Sequence, residues 1–138
     1  LPPAVHRSPL PPPMSRINSR AKGARAERAW CLYLKSIGFN KDGTPMFDAK
    51  RGCQNAGRDQ FGQDFPDVVC PSLNYIHWEV KAVERLNIHD AIDQAERDCE
   101  GTGKVPIVAH KKNHSPWLVT MPADEFAKYL RGDLPPAE

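Results

Sequence analysis

Asp67, Glu79 and Lys81 are the residues best suited to do chemistry together. They stand in Pro66-Asp67-Val68-Val69 and Trp78-Glu79-Val80-Lys81. Side chains on a strand repeat their direction every second residue, so Glu79 and Lys81 share one face. Val80, between them, points the other way with Ile76 and Trp78. If the two segments pair as a hairpin, Asp67 comes close to Glu79, and two carboxylates and an ammonium meet at one end of a sheet. Such a cluster suits phosphodiester hydrolysis. That reaction needs a nucleophile at neutral pH and relief of the charge that develops around phosphorus, and a divalent ion supplies both. Mg²⁺ takes hard oxygen ligands and is commonly held by one or two carboxylates. Asp67 and Glu79 meet that demand, and the Val80 carbonyl offers a third oxygen. Lys81 can orient or help deprotonate the attacking water. The plain alternative is that Asp67 caps a turn while Glu79 and Lys81 form a surface ion pair.

The elements that would position these groups can be read from periodicity. Residues 19–37 are helical, with Ala26, Trp30, Tyr33, Leu34 and Ile37 at three- and four-residue steps. Asn18 or Ser19 can cap the start, and Gly38 is expected as a left-handed stop. Glu27 lies at the edge of the apolar stripe. Residues 46–50 and 66–70 are short strand candidates, separated by a Gly-, Gln-, Asn- and Asp-rich loop at 51–65. The clearest strand is 75–83. Ile76, Trp78, Val80 and Ala82 form one face, and Tyr75, His77, Glu79, Lys81 and Val83 the other. Charged groups inside a central strand cost desolvation energy unless paired or metal-bound, so this breach of the pattern points to function. Residues 88–99 form an amphipathic helix with Gln94 beside its apolar stripe, ended by Gly101 and Gly103. Strands at 105–110 and 117–120 follow, then a helix at 123–130 opened by Pro122 and closed by Gly132. The order is α-β-β-β-α-β-β-α with no internal repeat, an α/β fold.

The 138 residues fit a single domain at 14–132, with a frayed tail at 133–138. Residues 1–13 hold six prolines and read as a disordered or polyproline arm. Met14 is an expected native start, the arm then being added or upstream-translated sequence; a partner-binding tail is the alternative. A net charge of +2 decides nothing by itself. Its distribution is more telling, with Arg16, Arg20, Lys22, Arg25 and Arg28 grouped at one place and Lys111-Lys112 at another. Such groups fit a polyanion, although solvated helix and loop faces account for them as well. The four cysteines form no C-x-x-C pair and are expected as free thiols in a reducing cytosol. Zinc held by Cys99, His110 and His114 has a permitted spacing but lacks the usual partner pair. No run reaches the ~20 apolar residues of a membrane span.

Taken together, the residues resemble the PD-(D/E)xK nuclease superfamily, and within it the archaeal-type Holliday junction resolvases and related phage endonucleases. The resemblance covers about residues 19–120. Lys22-Gly23 and Glu27-Arg28 match the opening of the first helix, and Arg51 with the loop through Gly57 matches a strand end and Gly-rich loop. Asp67, Glu79 and Lys81 match the signature itself. Gln94 matches the glutamine of the following helix, and Trp117 a late tryptophan-bearing strand. The resemblance implies a restriction-endonuclease-like αβββαβ core, with a central mixed sheet flanked by helices. It implies that Glu27, Asp67 and Glu79 surround the metal, with Lys81 and Gln94 completing the catalytic group. It further implies Mg²⁺, with Mn²⁺ as a substitute, DNA as substrate and a homodimer acting on four-way junctions. The long loop at 51–65 departs from shorter versions.

On this reading Arg20, Lys22, Arg25, Lys111 and Lys112 hold backbone phosphates without reading bases. Arg51 and Arg58 border the scissile phosphate. The expected activity is that of a metal-dependent, structure-selective DNA endonuclease in the cytoplasm of a prokaryotic or phage-infected cell. Alternatives are a nicking, repair or restriction-like nuclease of the same chemistry, or a DNA-binding module that keeps the fold without the reaction.

Overall fold

A computed structural model of the chain describes residues 16–52 and 66–133. The proline-rich arm, Arg58 and most of the 51–65 loop lie outside the described residues, as does the end of the tail. Three helices and five strands follow the expected order. They are α1 (Arg16–Ser36), β1 (Lys50–Arg51), β2 (Val68–Val69), β3 (Ile76–Ala82), α2 (Ile88–Asp98), β4 (Val105–Lys111), β5 (Leu118–Thr120) and α3 (Ala123–Arg131). A short 3-10 turn, Pro71–Leu73, joins β2 to β3.

The strands form one mixed sheet in the order β1-β2-β3-β4-β5. β3 and β4 run parallel along their whole length, from Ile76 opposite Val105 to Ala82 opposite Lys111. The other pairs are antiparallel. Parallel neighbours require a crossover, and α2 supplies it. A parallel pair covered on both sides should be apolar on both faces. β4 obeys this, with Val105, Ile107, Val108 and Ala109 all buried. β3 obeys it on one face only.

On that face α1 packs through Trp30, whose ring lies edge-on to Trp78 at 5.2 Å and tilted against Trp117 at 5.1 Å. Ala26, Cys31 and Leu34 extend the contact onto Val68, Val80, Ile107 and Ala109. On the opposite face the small residues Ala91 and Ala95 let α2 approach Val108 closely, flanked by Leu86, Ile88 and Ile92. The Asn87 side chain caps α2 by accepting from the Asp90 N–H at 3.2 Å. Gly132 ends α3 in the left-handed region at φ 75°.

Three local expectations are corrected. α1 begins at Arg16, so Asn18 and Ser19 lie within the helix rather than at its cap. Gly38 is not a left-handed stop: it is absent from the positive-φ positions. Its carbonyl instead accepts from the Met46 N–H at 3.0 Å. A Cβ there would press on the Met46 sulfur, so lack of a side chain serves packing rather than backbone reversal. The strand expected at 46–50 is paired only at Lys50–Arg51, with an isolated bridge between Phe39 and Pro45 before it. Among the described residues, Cys31, Cys70 and Cys99 are buried free thiols. No zinc cluster forms among the described residues from Cys99, His110 and His114. The Cys99 thiol lies against backbone carbonyls of Glu96 and Lys104, and the His110 ring bonds Thr120 Oγ1 at 2.9 Å.

Candidate active site

Asp67 is fastened to the sheet from three sides. Its N–H donates to the Trp78 carbonyl at 3.0 Å, and its own carbonyl accepts from the Gly52 N–H at 2.8 Å. Its Oδ2 accepts from the Val80 N–H at 2.9 Å. The backbone bond falls on the residue before Glu79 and the side-chain bond on the residue after it, so Asp67 brackets Glu79. Gly52 makes this possible. A Cβ at that position would overlap the carbonyl oxygen of Pro66, so only glycine lets the end of β1 lie so close to the chain entering β2.

Glu79 is 2% exposed, and so is His77, two residues earlier on the same face of β3. His77 Nε2 lies 3.1 Å from Glu79 Oε1. Asp98, at the end of α2, completes a group whose ligating atoms all lie within 4.8 Å of one another. Burial raises the Glu79 pKa well above the ordinary carboxylate range. The nearby Asp67 charge adds to the rise, and Lys81 opposes it. Lys81 itself is placed by Gln94: Lys81 Nζ donates to Gln94 Oε1 at 3.3 Å. Gln94 and Asp98 are one helical turn apart, while Lys81 and Glu79 are two strand residues apart in the opposite sense. α2 therefore runs antiparallel to β3 and lays a polar rung across each of the two site residues.

Glu27 comes from α1 on the other side. It is 7% exposed, and Arg51 Nε reaches its Oε1 at 3.1 Å. Burial raises its pKa, Asp67 raises it further, and Arg51 offsets part of the rise. Arg51 thus stands as the counter-ion of Glu27, at the end of β1 beside Asp67. The structure brings together Glu27, Asp67, Glu79, Lys81 and Gln94, with Val80 between. In an extended strand the N–H and C=O of one residue project to the same edge. The Val80 carbonyl therefore faces the edge where Asp67 lies.

The donors fit a hard divalent cation. Burial first, and the Asp67 charge second, disfavour ionisation of both Glu27 and Glu79, and Arg51 and Lys81 offset only part of this. A bound cation is the ordinary remedy for such an arrangement.

The expected phosphate-binding residues Arg20, Lys22 and Arg25 are exposed on α1, Lys112 is exposed, and Lys111 is half-buried. Lys111 Nζ also stands 5.5 Å over the Trp117 ring. With Arg85, His110 and Ser115, these two lysines line a groove of about 500 Å³ at the end of β3 beyond Lys81. Arg85 carries no signal in the sequence because it lies alone between strand and helix. A smaller groove of about 270 Å³ lies on the α1 side, between Arg28, Lys35 and Arg51. His77 and Asp98 are further residues of the site that the motif does not name. The signal for His77 is its place on the charged face of β3; Asp98 gives none without the direction of α2.

Residues 18–137 match the family described as "phage putative PDDEXK endonuclease". The chain belongs to this family and is a PD-(D/E)xK nuclease. Among solved structures it is similar to Hjc, a Holliday junction resolvase of Archaeoglobus fulgidus. The two are 24% identical over 72% of each chain, with a TM-score of 0.47. No curated protein matches the chain. Among the described residues, no helix is long and apolar enough to cross a membrane.

Proposed function

We propose that the chain is a divalent-metal-dependent DNA endonuclease selective for branched structure, with four-way junctions its best substrate. Asp67's hold on both sides of Glu79, next to a Lys81 oriented by Gln94, is the observation that carries this reading. Asp67, Glu79 and the Val80 carbonyl would hold the ion, with Glu27 at its border. When bound, Mg²⁺, or Mn²⁺ in its place, acidifies a water and offsets charge on the phosphate.

The remaining work falls to the chain's own groups. Lys81, fixed by Gln94, presents its ammonium on the face of Glu79. There it can orient the attacking water and stabilise charge developing on phosphate oxygens. Arg85, Lys111 and Lys112 receive the backbone beyond the site, and Arg20, Lys22, Arg25 and Arg28 offer cations along α1. Arg51 holds the Glu27 carboxylate in place through Nε and, together with Arg58, is assigned to the border of the scissile phosphate. Contacts of this kind grip phosphates and leave bases unread, which favours recognition of shape over sequence. Action as a homodimer, one subunit on each of two strands, belongs to the same proposal and rests on the motif resemblance.

The test is cleavage of a synthetic four-way junction beside a flap and a plain duplex of the same sequence, with Mg²⁺ and with EDTA. Junction cleavage that needs Mg²⁺ and exceeds duplex cleavage supports the reading. Equal cutting of all three refutes the structural selectivity, and cutting in EDTA refutes the metal role.

A further inference from the structure

Glu79 is a flexible side chain given a demanding task, and the structure shows what restrains it. We propose that His77 is a positioning residue that clamps the Glu79 carboxylate for metal binding, an inference that rests on the reading of the site above. The two residues are neighbours on one face of β3, and their 3.1 Å contact joins Nε2 to Oε1. Their side chains are only 2% and 3% exposed, so water does not replace this bond when the carboxylate turns. Asp98 closes the same pocket from the last turn of α2. The ring takes Oε1 and fixes the plane of the carboxylate, so Oε2 is the oxygen available to an ion shared with Asp67. An unrestrained Glu would have to lose several rotamers at the moment of binding, and the clamp meets that entropy cost during folding. Hydrogen-bond partners of ligating groups commonly contribute ~10–100-fold in metal affinity or activity.

The same three residues could instead form a metal site of their own, with the imidazole as a direct ligand. The test separates the two. Mn²⁺ binding to the whole protein without DNA is followed by electron paramagnetic resonance for wild type, His77→Leu, His77→Gln and Glu79→Gln. Leu fills the ring's volume without a donor, whereas Gln can place an N–H near the position of Nε2. The expected result is at least about tenfold weaker Mn²⁺ binding in His77→Leu, and affinity within about threefold of wild type in His77→Gln. DNA affinity in EDTA should stay within about twofold for both, because neither change touches the basic groove.

Unchanged Mn²⁺ affinity in His77→Leu overturns the inference, as does a folded His77→Gln that binds as poorly as His77→Leu. Should His77→Leu not fold, ¹⁵N spectra of the wild-type imidazole decide. Nε2 carrying a proton with Mg²⁺ bound supports a clamp, and an unprotonated Nε2 in the Mg²⁺-bound state marks a ligand and overturns the clamp. Wild-type affinity in Glu79→Gln would show that the proposed metal site itself is wrong. Weaker binding in Glu79→Gln alone, with His77→Leu at wild-type affinity, would refute only the clamp.

Discussion

Replacing Asp67 by Asn and by Ala separates its two tasks. One is the proposed chemical task, a charge offered to an ion. The other is architectural, the oxygen that accepts from Val80 N–H at 2.9 Å. Asn keeps an acceptor oxygen and loses the charge; Ala loses both. A hydrogen bond to a charged acceptor contributes ~1.5–3 kcal/mol, and Asp67 is half-buried, so water can recover part of it. Asp67→Ala should therefore cost about 1–2 kcal/mol. For a domain of this size each kcal/mol moves Tm by roughly 3–5 °C, so Asp67→Ala should melt roughly 3–10 °C lower. Asp67→Asn should melt within about 3 °C of wild type in EDTA. It gives up part of the hydrogen bond's strength but removes a charge that disfavours ionisation of both Glu27 and Glu79. Both variants should lose cleavage by at least about 100-fold, the scale of deleting one preorganised electrostatic group. Thermal melts by circular dichroism and single-turnover cleavage of a labelled junction measure the two effects. Asp67→Asn melting as low as Asp67→Ala would refute the structural account. Asp67→Asn cleaving above a tenth of the wild-type rate would refute the chemical one.

Other substitutions probe the surroundings. Gly52→Ala should destabilise the fold by at least about 2 kcal/mol and reduce cleavage, because its Cβ needs the space of the Pro66 carbonyl; wild-type Tm and rate would show that β1 can shift freely. Glu79→Gln should stabilise the metal-free protein at pH 8 and have little effect at pH 4. Burial and Asp67 push the Glu79 pKa from the ordinary 4.5 to about 9. Within that window the folded chain binds more protons than the unfolded chain, so wild-type stability falls as pH rises, and the Gln variant lacks this fall. Urea melts in EDTA across the window measure it, and parallel wild-type and variant curves would contradict it. Neutralising Arg85, Lys111 and Lys112 together should weaken DNA binding alike for all sequences. It should reduce the slope of log affinity against log salt by about 0.9 for each phosphate left without its cation; a sequence-dependent effect would place these residues on bases. Trp30→Ala should cost ~3–5 kcal/mol, since Trp30 is the ring on which Trp78 and Trp117 both rest; a cost below about 1 kcal/mol by denaturant melts would remove it from the core.

Strong local periodicity carries much of this architecture in the sequence. Alternation across 75–83 marks β3, and the apolar stripe from Ile88 to Cys99 marks α2, because each pattern is repeated by many residues. Asp67 and Glu79 are legible as neighbours for the same reason: two apolar segments and a short turn leave few ways to pair. What depends on contact between distant segments is not legible. The Glu27–Arg51 ion pair needs β1 to lie beside α1, and no periodicity in Lys50–Arg51 announces that. Asp98 joins Glu79 only because α2 runs antiparallel to β3. Gly52 looks like one more loop glycine, and Gly38 like a helix stop, because composition does not say which neighbour a missing side chain admits. The segment 46–50 reads as a longer strand than it is, because the apolar character of Phe47 and Ala49 serves packing into the core rather than a ladder.

The ladders that carry the site differ greatly in length. Lys81 and Glu79 belong to a seven-residue parallel register, whereas Asp67 hangs beside a strand of two residues. Amide exchange should therefore find two opening energies within one cleft, with protons on β3 and β4 protected nearly to global unfolding and those around β2 released far sooner. If that exchange pattern is found, the acid assigned to the proposed cleft would be able to withdraw and return while the lysine stays put, and competence would vary with no change in whether the molecule is folded.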